Sequence, residues 1–82
     1  MDSLRDLLLT VVLSIVDDED SVEISEEKTD TGLLFEVRVG KDDLGKVIGK
    51  QGRIANSIRT VLKAAGAKLS EKVMINILNK PL

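Results

Sequence analysis

The sequence predicts a two-layer α+β fold in which helices cover one face of a three-stranded sheet. Its 82 residues are enough for one domain, so we expect residues 1–82 to fold as a unit. Apolar residues recur along the chain with a period of about 3.6 in some segments and of 2 in others, which marks helices and half-buried strands. The predicted order is α-β-β-α-α-β, with a glycine-flanked turn between the two consecutive helices.

The first helix is predicted to begin at Asp2 or Ser3 and to end at about Val16. The i, i+3, i+4 pattern assigns its buried stripe to Leu4, Leu7, Leu8, Val11 and Ile15. The remaining apolar residues of this segment are Leu9, Leu13 and Val16. They make the helix more apolar than one sheet requires, which indicates either deep burial or a surface for a partner protein.

Two strands follow and are expected to pair as a hairpin. The first covers Ser21–Glu27, and residues 28–32 form the turn. The second strand alternates, so that one face carries Leu33, Phe35, Val37 and Val39. A third strand is predicted over Lys72–Leu78.

The last two helices flank the turn Gly49-Lys50-Gln51-Gly52. A short helix, capped by Asp42 or Asp43, leads into Gly49. A longer helix follows Gly52 and is predicted to end at about Ala65.

Gly66 is the expected C-terminal glycine of this longer helix. On its helical wheel, Arg59 and Lys63 lie opposite the apolar residues, which are Ile54, Ile58 and Leu62. Both cations are therefore expected to face solvent.

The glycine turn has the chemistry of a phosphate clamp. Gly49 and Gly52 lack a Cβ atom, so the main chain can approach a ligand closely and adopt positive φ without strain. The helix after Gly52 begins with unpaired N–H groups and the positive end of a dipole, which attract anions. Lys50, Arg53 and Lys46 add formal positive charge, and Gln51 can donate to phosphate or sugar oxygens.

An apolar groove is predicted beside this turn, where nucleobases would lie. We expect its lining to consist of Leu44, Val47, Ile48 and Ile54, with Ala55 and Arg38 at its edge. A backbone clamp next to an apolar groove is how KH domains hold about four single-stranded nucleotides.

The segment Val47-Ile48-Gly49-Lys50-Gln51-Gly52-Arg53 resembles the VIGxxG core of a KH domain. The order of elements is similar to type II KH domains, and the whole chain resembles small bacterial single-KH proteins of the KhpA type. Ala55 departs from the pattern, because many KH domains carry a large aliphatic residue there. A shallower groove is expected in consequence.

The resemblance implies a single-stranded RNA-binding protein that acts as an RNA chaperone or post-transcriptional regulator. It also implies a homodimer, or a complex with a larger KH protein of the KhpB/Jag type, in cell elongation and envelope homeostasis. The alternative is a protein-interaction adaptor with little RNA affinity of its own, which the excess of apolar residues in the first helix favours.

The charge distribution agrees with a basic binding surface on an acidic protein. Residues 1–36 contain two basic and eleven acidic residues, whereas residues 37–82 contain ten basic and three acidic residues. The basic half carries the glycine turn.

Composition argues against catalysis, metals and cofactors. The chain has no cysteine and no histidine, and no spacing typical of a nucleophile and its base is recognisable. The acidic run Asp17–Asp20 lacks the glycine of a calcium loop, and the Gly45–Lys50 segment does not match a Walker motif. We therefore expect no enzyme activity, cofactor, metal site or small-molecule substrate.

The longest apolar run, from Leu7 to Val16, is too short to cross a bilayer, and its flanks are unlike those of a signal peptide. We therefore expect a cytoplasmic protein without a membrane segment.

Overall fold

The computed structural model describes residues 3–79, and it confirms the predicted α+β order. The helices and strands are α1 (Ser3–Leu13), β1 (Glu23–Thr29), β2 (Gly32–Val39), α2 (Lys41–Ile48), α3 (Arg53–Lys68) and β3 (Val73–Asn79). The sheet order is β1-β2-β3, with β1 antiparallel to β2 and β3 parallel to it.

The core lies between the three helices and one face of this mixed sheet. The central strand β2 supplies the residues predicted from its alternation, and all four are buried: Leu33, Phe35, Val37 and Val39. The buried residues of α1 are Leu4, Leu8 and Val12, so the prediction is confirmed at Leu4 and Leu8 but missed Val12. Leu7, Val11 and Ile15 lie at the flank of these residues, half-buried.

Helix α1 ends at Leu13, three residues before the predicted end. The Ser14 hydroxyl donates to the Thr10 carbonyl at 2.7 Å, and such a side-chain bond competes with regular helical pairing. Val16 is nevertheless buried in the core, because one further turn carries it there.

Strand β1 lies two residues later than predicted, because Glu19–Ser21 forms a 3₁₀ turn and the hairpin loop contains only two residues. The Thr29 hydroxyl donates to the Gly32 carbonyl at 2.9 Å and closes that loop. Gly32 has a φ of 138°, and a Cβ there would lie 2.2 Å from the Lys72 carbonyl oxygen. The close approach of β2 to β3 therefore requires glycine at this position.

The predicted capping of α2 by Asp42 or Asp43 is wrong. Gly40 is the N-cap residue and no side chain caps the helix. Asp43 is instead buried, with 2% of its surface exposed, and accepts the backbone N–H groups of Asp17 at 3.1 Å and Asp18 at 3.0 Å. Its carboxylate thus joins α2 to the segment that follows α1.

The predicted end of α3 at Gly66 is also wrong, because the helix continues to Lys68. Gly66 is buried inside the helix, where a Cβ would lie 2.5 Å from Val73 Cγ2. Glycine here permits close packing of α3 on β3. Ser70, with a φ of 58°, takes the left-handed position that terminates the helix.

None of the helices in residues 3–79 is both long enough and apolar enough to cross a membrane. In the same range, no cluster of three or more acidic residues could hold a metal ion.

Candidate nucleic-acid interface

The glycine turn joins α2 to α3 through a single 3₁₀ turn, Lys50–Gly52. Gly49, Gln51 and Gly52 all have positive φ, at 76°, 57° and 75°. A Cβ on Gly49 would lie 2.6 Å from Ile54 Cγ1, so this position is restricted by both space and conformation. Gly52 has open space around it, and only its left-handed φ requires glycine.

This geometry gathers backbone donors at the start of α3. Gly52 is the N-cap residue of α3 and no side chain caps the helix, so N–H groups of its first turn remain available to a ligand. The long α3 directs the positive end of its dipole at the same point. The sequence folds in this way because left-handed residues reverse the chain between two right-handed helices.

Two cations lie beside the turn. Lys50 and Arg53 are exposed, and Arg53 Nη2 lies 3.5 Å from Gln51 Oε1. These side chains are therefore available to phosphate oxygens at the place where the backbone donors converge.

Lys46, the third predicted cation, is held elsewhere. Its Nζ forms an ion pair with the Asp17 carboxylate and lies 3.7 Å from Asp43 Oδ1. The hydrogen bond that Lys46 donates to the Asp17 carboxylate is the main cause of a raised Lys46 pKa. On the wheel of α2, Lys46 lies on the flank opposite Leu44 and Ile48, so the structure does not bring it to the predicted groove.

The predicted groove residues divide among several environments. Val47 and Ala55 are buried in the core, with 0% and 3% of their surfaces exposed, so they support the site without lining its surface. Leu44 and Ile48 are half-buried and share the exposed flank of α2. Ile54 is exposed on the side of α3 that faces α1, and its side chain also lies against Gly49.

Arg38, the predicted edge residue, lies on the outer face of the sheet. The alternation along β2 directs the Arg38 side chain away from the helices. Its Nη2 lies 3.7 Å from Glu36 Oε1. The sheet therefore separates Arg38 from the glycine turn.

Gly45 was not among the predicted site residues, yet it is on the solvent side of α2. A Cβ placed there would meet nothing within 4 Å, so packing does not explain the glycine. An exposed glycine inside a helix costs about 1 kcal/mol relative to alanine. The Gly49 N–H donates to its carbonyl at 2.8 Å, so Gly45 and Gly49 form a Cβ-free track into the turn.

The expectation that Arg59 faces solvent is corrected too, because its guanidinium group contacts the protein. Its Nε donates to the Ile75 carbonyl at 3.2 Å, and its Nη1 donates to Asn56 Oδ1 at 3.1 Å. The i, i+3 spacing of Asn56 and Arg59 on one helix face was the sequence signal that could have identified this pair.

The carbonyl that Arg59 contacts belongs to the free edge of β3. Because the Leu33 N–H pairs with the Lys72 carbonyl, the carbonyls of Val73, Ile75 and Ile77 point away from β2. The candidate interface thus consists of the glycine turn, the exposed flank of α2, the Asn56–Arg59 pair and this strand edge.

Residues 5–77 match the family described as KhpA/KhpB, KH domain. Similar relatives named RNA-binding protein KhpA include those of Clostridium acetobutylicum, 45% identical over 92% of this chain and 100% of the relative, and Bacillus subtilis, 45% identical over 90% and 91%. The relative from Aquifex aeolicus is 41% identical over 95% of this chain and 99% of its own.

A solved structure shares the fold at much lower identity. The crystal structure of a variant of Aquifex aeolicus Era aligns with a TM-score of 0.61 and 17% identity, over 95% of this chain and 31% of Era. Because the family match extends over most of the chain and the relatives match along nearly their full length, the protein belongs to the KhpA/KhpB family of KH domains.

Proposed function

We propose that this protein binds single-stranded RNA and grips its backbone at the Gly49–Gly52 turn. The observation that supports this most strongly is the combination of three positive-φ residues between α2 and α3 with exposed Lys50 and Arg53. The relatives named RNA-binding protein KhpA support the choice of ligand. The family is one of non-enzymatic RNA-binding domains, so binding is the activity.

In this proposal the phosphate and the bases have different partners. Backbone N–H groups of the turn and of the first turn of α3 donate to phosphate oxygens, and Lys50 and Arg53 neutralise their charge. Bases lie against Leu44 and Ile48. The main-chain groups at the free edge of β3 are available to base edges.

Few cations take part, so one copy is expected to bind weakly and with a modest, measurable salt dependence. The slope of log affinity against log salt concentration is negative, and each phosphate contact on a single strand adds about 0.7 to its magnitude. With Lys46 engaged by Asp17 and Asp43, the magnitude of the slope for a short RNA is expected to be about 1.4, from Lys50 and Arg53.

The test is a fluorescence-anisotropy titration of a short unstructured RNA at two salt concentrations. The wild type is compared with a Lys50→Asp, Gln51→Asp double variant, whose fold is checked by circular dichroism. Aspartate tolerates the left-handed φ of position 51, so the turn is expected to persist. We expect the folded variant to lose binding.

A charge-matched control is Lys28→Asp, Thr31→Asp, in the hairpin at the opposite edge of the sheet. This control is expected to retain most of the affinity. Equal losses in the two double variants would mean that net charge, and not the turn, carries binding.

We further propose that the protein acts in the cytoplasm as a homodimer or with a KhpB/Jag-type KH protein, in the control of cell elongation and envelope homeostasis. An apolar groove between α1 and α3 supports an assembly. It has a volume of about 240 Å³ and is lined by Val11, Ile15, Ile54, Ser57, Ile58 and Val61. Val61 is 48% exposed there.

The same groove supports the second candidate function, that of a protein-interaction adaptor. Analytical ultracentrifugation of Val61→Glu tests the assembly, with Leu69→Glu as control because Leu69 is 54% exposed outside the groove. We expect only Val61→Glu to shift the protein towards the monomer. RNA binding retained by that monomer would separate the two functions, and absence of RNA binding by the wild type would favour the adaptor.

A further inference from the structure

Helix α3 carries a polar stripe that leads away from the glycine turn. Asn56, Arg59 and Lys63 follow i, i+3, i+7 spacing on the side of the helix that faces β3. Asn56 Nδ2 would lie 3.9 Å from a Cβ on Gly52, so the stripe begins at the turn itself. Arg59 then joins Asn56 to the Ile75 carbonyl at the strand edge.

The stripe ends at a cavity of about 320 Å³ between the second half of α3 and the start of β3. Its lining residues are Lys63, Ala67, Glu71, Lys72, Val73 and Met74. The surface inside is almost entirely apolar. Two ammonium groups and one carboxylate therefore accompany a space with apolar walls.

This combination suits a nucleotide. Apolar walls accept the face of a base, whereas Lys63 and Lys72 suit the phosphates on either side of it. The carboxylate of Glu71 can accept an N–H group from a base edge. Arg59, Lys63 and Lys72 outnumber this one acidic residue, so the surface favours an anionic strand.

The cavity is also at a suitable distance from the turn. Gly52 and Lys63 are separated by eleven positions of α3, which corresponds to about 16 Å along the helix axis. A KH groove holds about four nucleotides. A strand held at the turn can therefore reach the cavity along the edge of β3.

We propose that the RNA path continues beyond the groove along the α3–β3 edge, and that the cavity beside Lys63 and Lys72 binds an additional nucleotide of the same strand. This proposal rests on the function proposed above. Arg59 connects the two parts. Its Nε and Nη1 groups are engaged, and Nη2 has no partner among the described residues, so this group is left to donate to the passing strand.

The experiment compares a four-nucleotide and a ten-nucleotide RNA by NMR titration at several salt concentrations. The protein variants are wild type and Lys63→Gln, Lys72→Gln. The charge-matched control is Lys28→Gln, Lys68→Gln, which changes β1 and a flank of α3 away from the stripe. A third variant, Ala67→Leu, fills the cavity without changing charge.

We expect the ratio of long-RNA to short-RNA affinity to fall about tenfold at physiological salt in Lys63→Gln, Lys72→Gln. The magnitude of the salt slope for the long RNA should fall by about 1.4, because two phosphate contacts are lost. Ala67→Leu should lower the ratio too, whereas the charge control should not. A longer RNA has the same statistical advantage with every variant, so this advantage cancels when the ratios of the variants are compared.

A ratio that is unchanged in both Lys63→Gln, Lys72→Gln and Ala67→Leu would overturn the extended path. An equal fall in the charge control would also overturn it, because net charge would then explain the effect. The clamp is tested separately, since the short RNA should still lose binding in Lys50→Asp, Gln51→Asp. Failure of that result would overturn the proposed function and not merely its extension.

Discussion

At the scale of single residues, Gly45 is a glycine without a packing reason. It lies inside α2 on the solvent side, and apart from its chain neighbours and the adjacent helix backbone no atom lies within 4 Å of the position that a Cβ would occupy. Natural helices seldom retain such a glycine without a reason, since it lowers stability. Close approach of a ligand backbone to α2 supplies one.

Gly45→Ala is therefore expected to separate stability from binding. Helix propensity predicts a free energy of unfolding higher by about 1 kcal/mol, measured by urea denaturation. The new methyl group lies on the track that leads into the turn, so RNA affinity should fall severalfold in the anisotropy assay. A more stable variant that binds RNA as tightly as the wild type would place the ligand elsewhere.

Asp43 is a second residue with a testable role, because its carboxyl pKa in the folded protein differs from the usual value. The backbone N–H groups of Asp18 and Asp17, and to a lesser extent Lys46, hold the pKa of the Asp43 carboxyl below its usual value. Its stabilising contribution is therefore present above the usual carboxyl pKa and is lost as the pH falls through the lowered folded-state pKa.

Asp43→Asn should lower the melting temperature at pH 7 by several degrees, because an amide cannot accept both N–H groups. It should also flatten the acid side of the stability curve below about pH 4. The measurement is thermal unfolding across a pH series. Asp42→Asn, at the exposed neighbouring position, serves as control, and an equally large effect there would contradict this role of Asp43.

Residue roles were only partly predictable from the sequence. The glycine turn is a local pattern, and its positive φ values follow from local sterics. The sequence does not predict what Lys46 and Arg59 contact, because their partners, Asp17 and Ile75, are distant in sequence. A helical wheel shows which way a side chain faces, but not what another element places in front of it.

At the scale of elements, the end of α3 shows how a helix stops without glycine. The Glu71 N–H donates to the Gly66 carbonyl at 2.8 Å and the Ser70 N–H to Ala67 at 3.1 Å, which is the Schellman pattern. The left-handed residue of this pattern is Ser70. Gly66, the expected terminator, is required four residues earlier for packing against Val73.

Ser70→Gly is expected to stabilise the protein by about 0.5–1 kcal/mol, because the left-handed strain on a residue with Cβ exceeds the entropy cost of glycine. Urea denaturation measures the difference. Ser70→Ala retains a Cβ and should bring no such gain. If alanine stabilised the protein as much as glycine, backbone strain at this position would not be the cause.

Element types were predictable, whereas several boundaries were not. The four buried residues of β2 follow from simple alternation, since one face of the strand meets the helices. The ends of α1 and α3 depend on Ser14 and Ser70, whose hydrogen bonds and backbone angles are set by local competition.

At the scale of the whole molecule, the fold brings the glycine turn, the exposed flank of α2 and the free edge of β3 to one surface. The acidic segment after α1 lies at the other flank of α2, where Asp17 engages Lys46. The outer face of the sheet carries Arg38, and the α1–α3 groove carries Val61. The α1–α3 groove adjoins the glycine turn at Ile54, which lies against Gly49.

The overall architecture was predictable because hydrophobic periods and one turn motif specify the order of elements. How the predicted groove residues divide between the core and the surface was not predictable from the sequence. Val47 and Ala55 belong to the core, and Ile54 belongs to the α1 side, because rotation of a helix about its axis is set by tertiary packing.

The most direct measurement is NMR chemical-shift mapping of the isotope-labelled protein during titration with a short single-stranded RNA. The largest shifts are expected at the amides of Gly45, Gly49, Gly52, Asn56 and Ile75. The strand β1 and the α1–α3 groove should change little. Shifts concentrated in that groove or on the outer face of the sheet would contradict the clamp at the glycine turn.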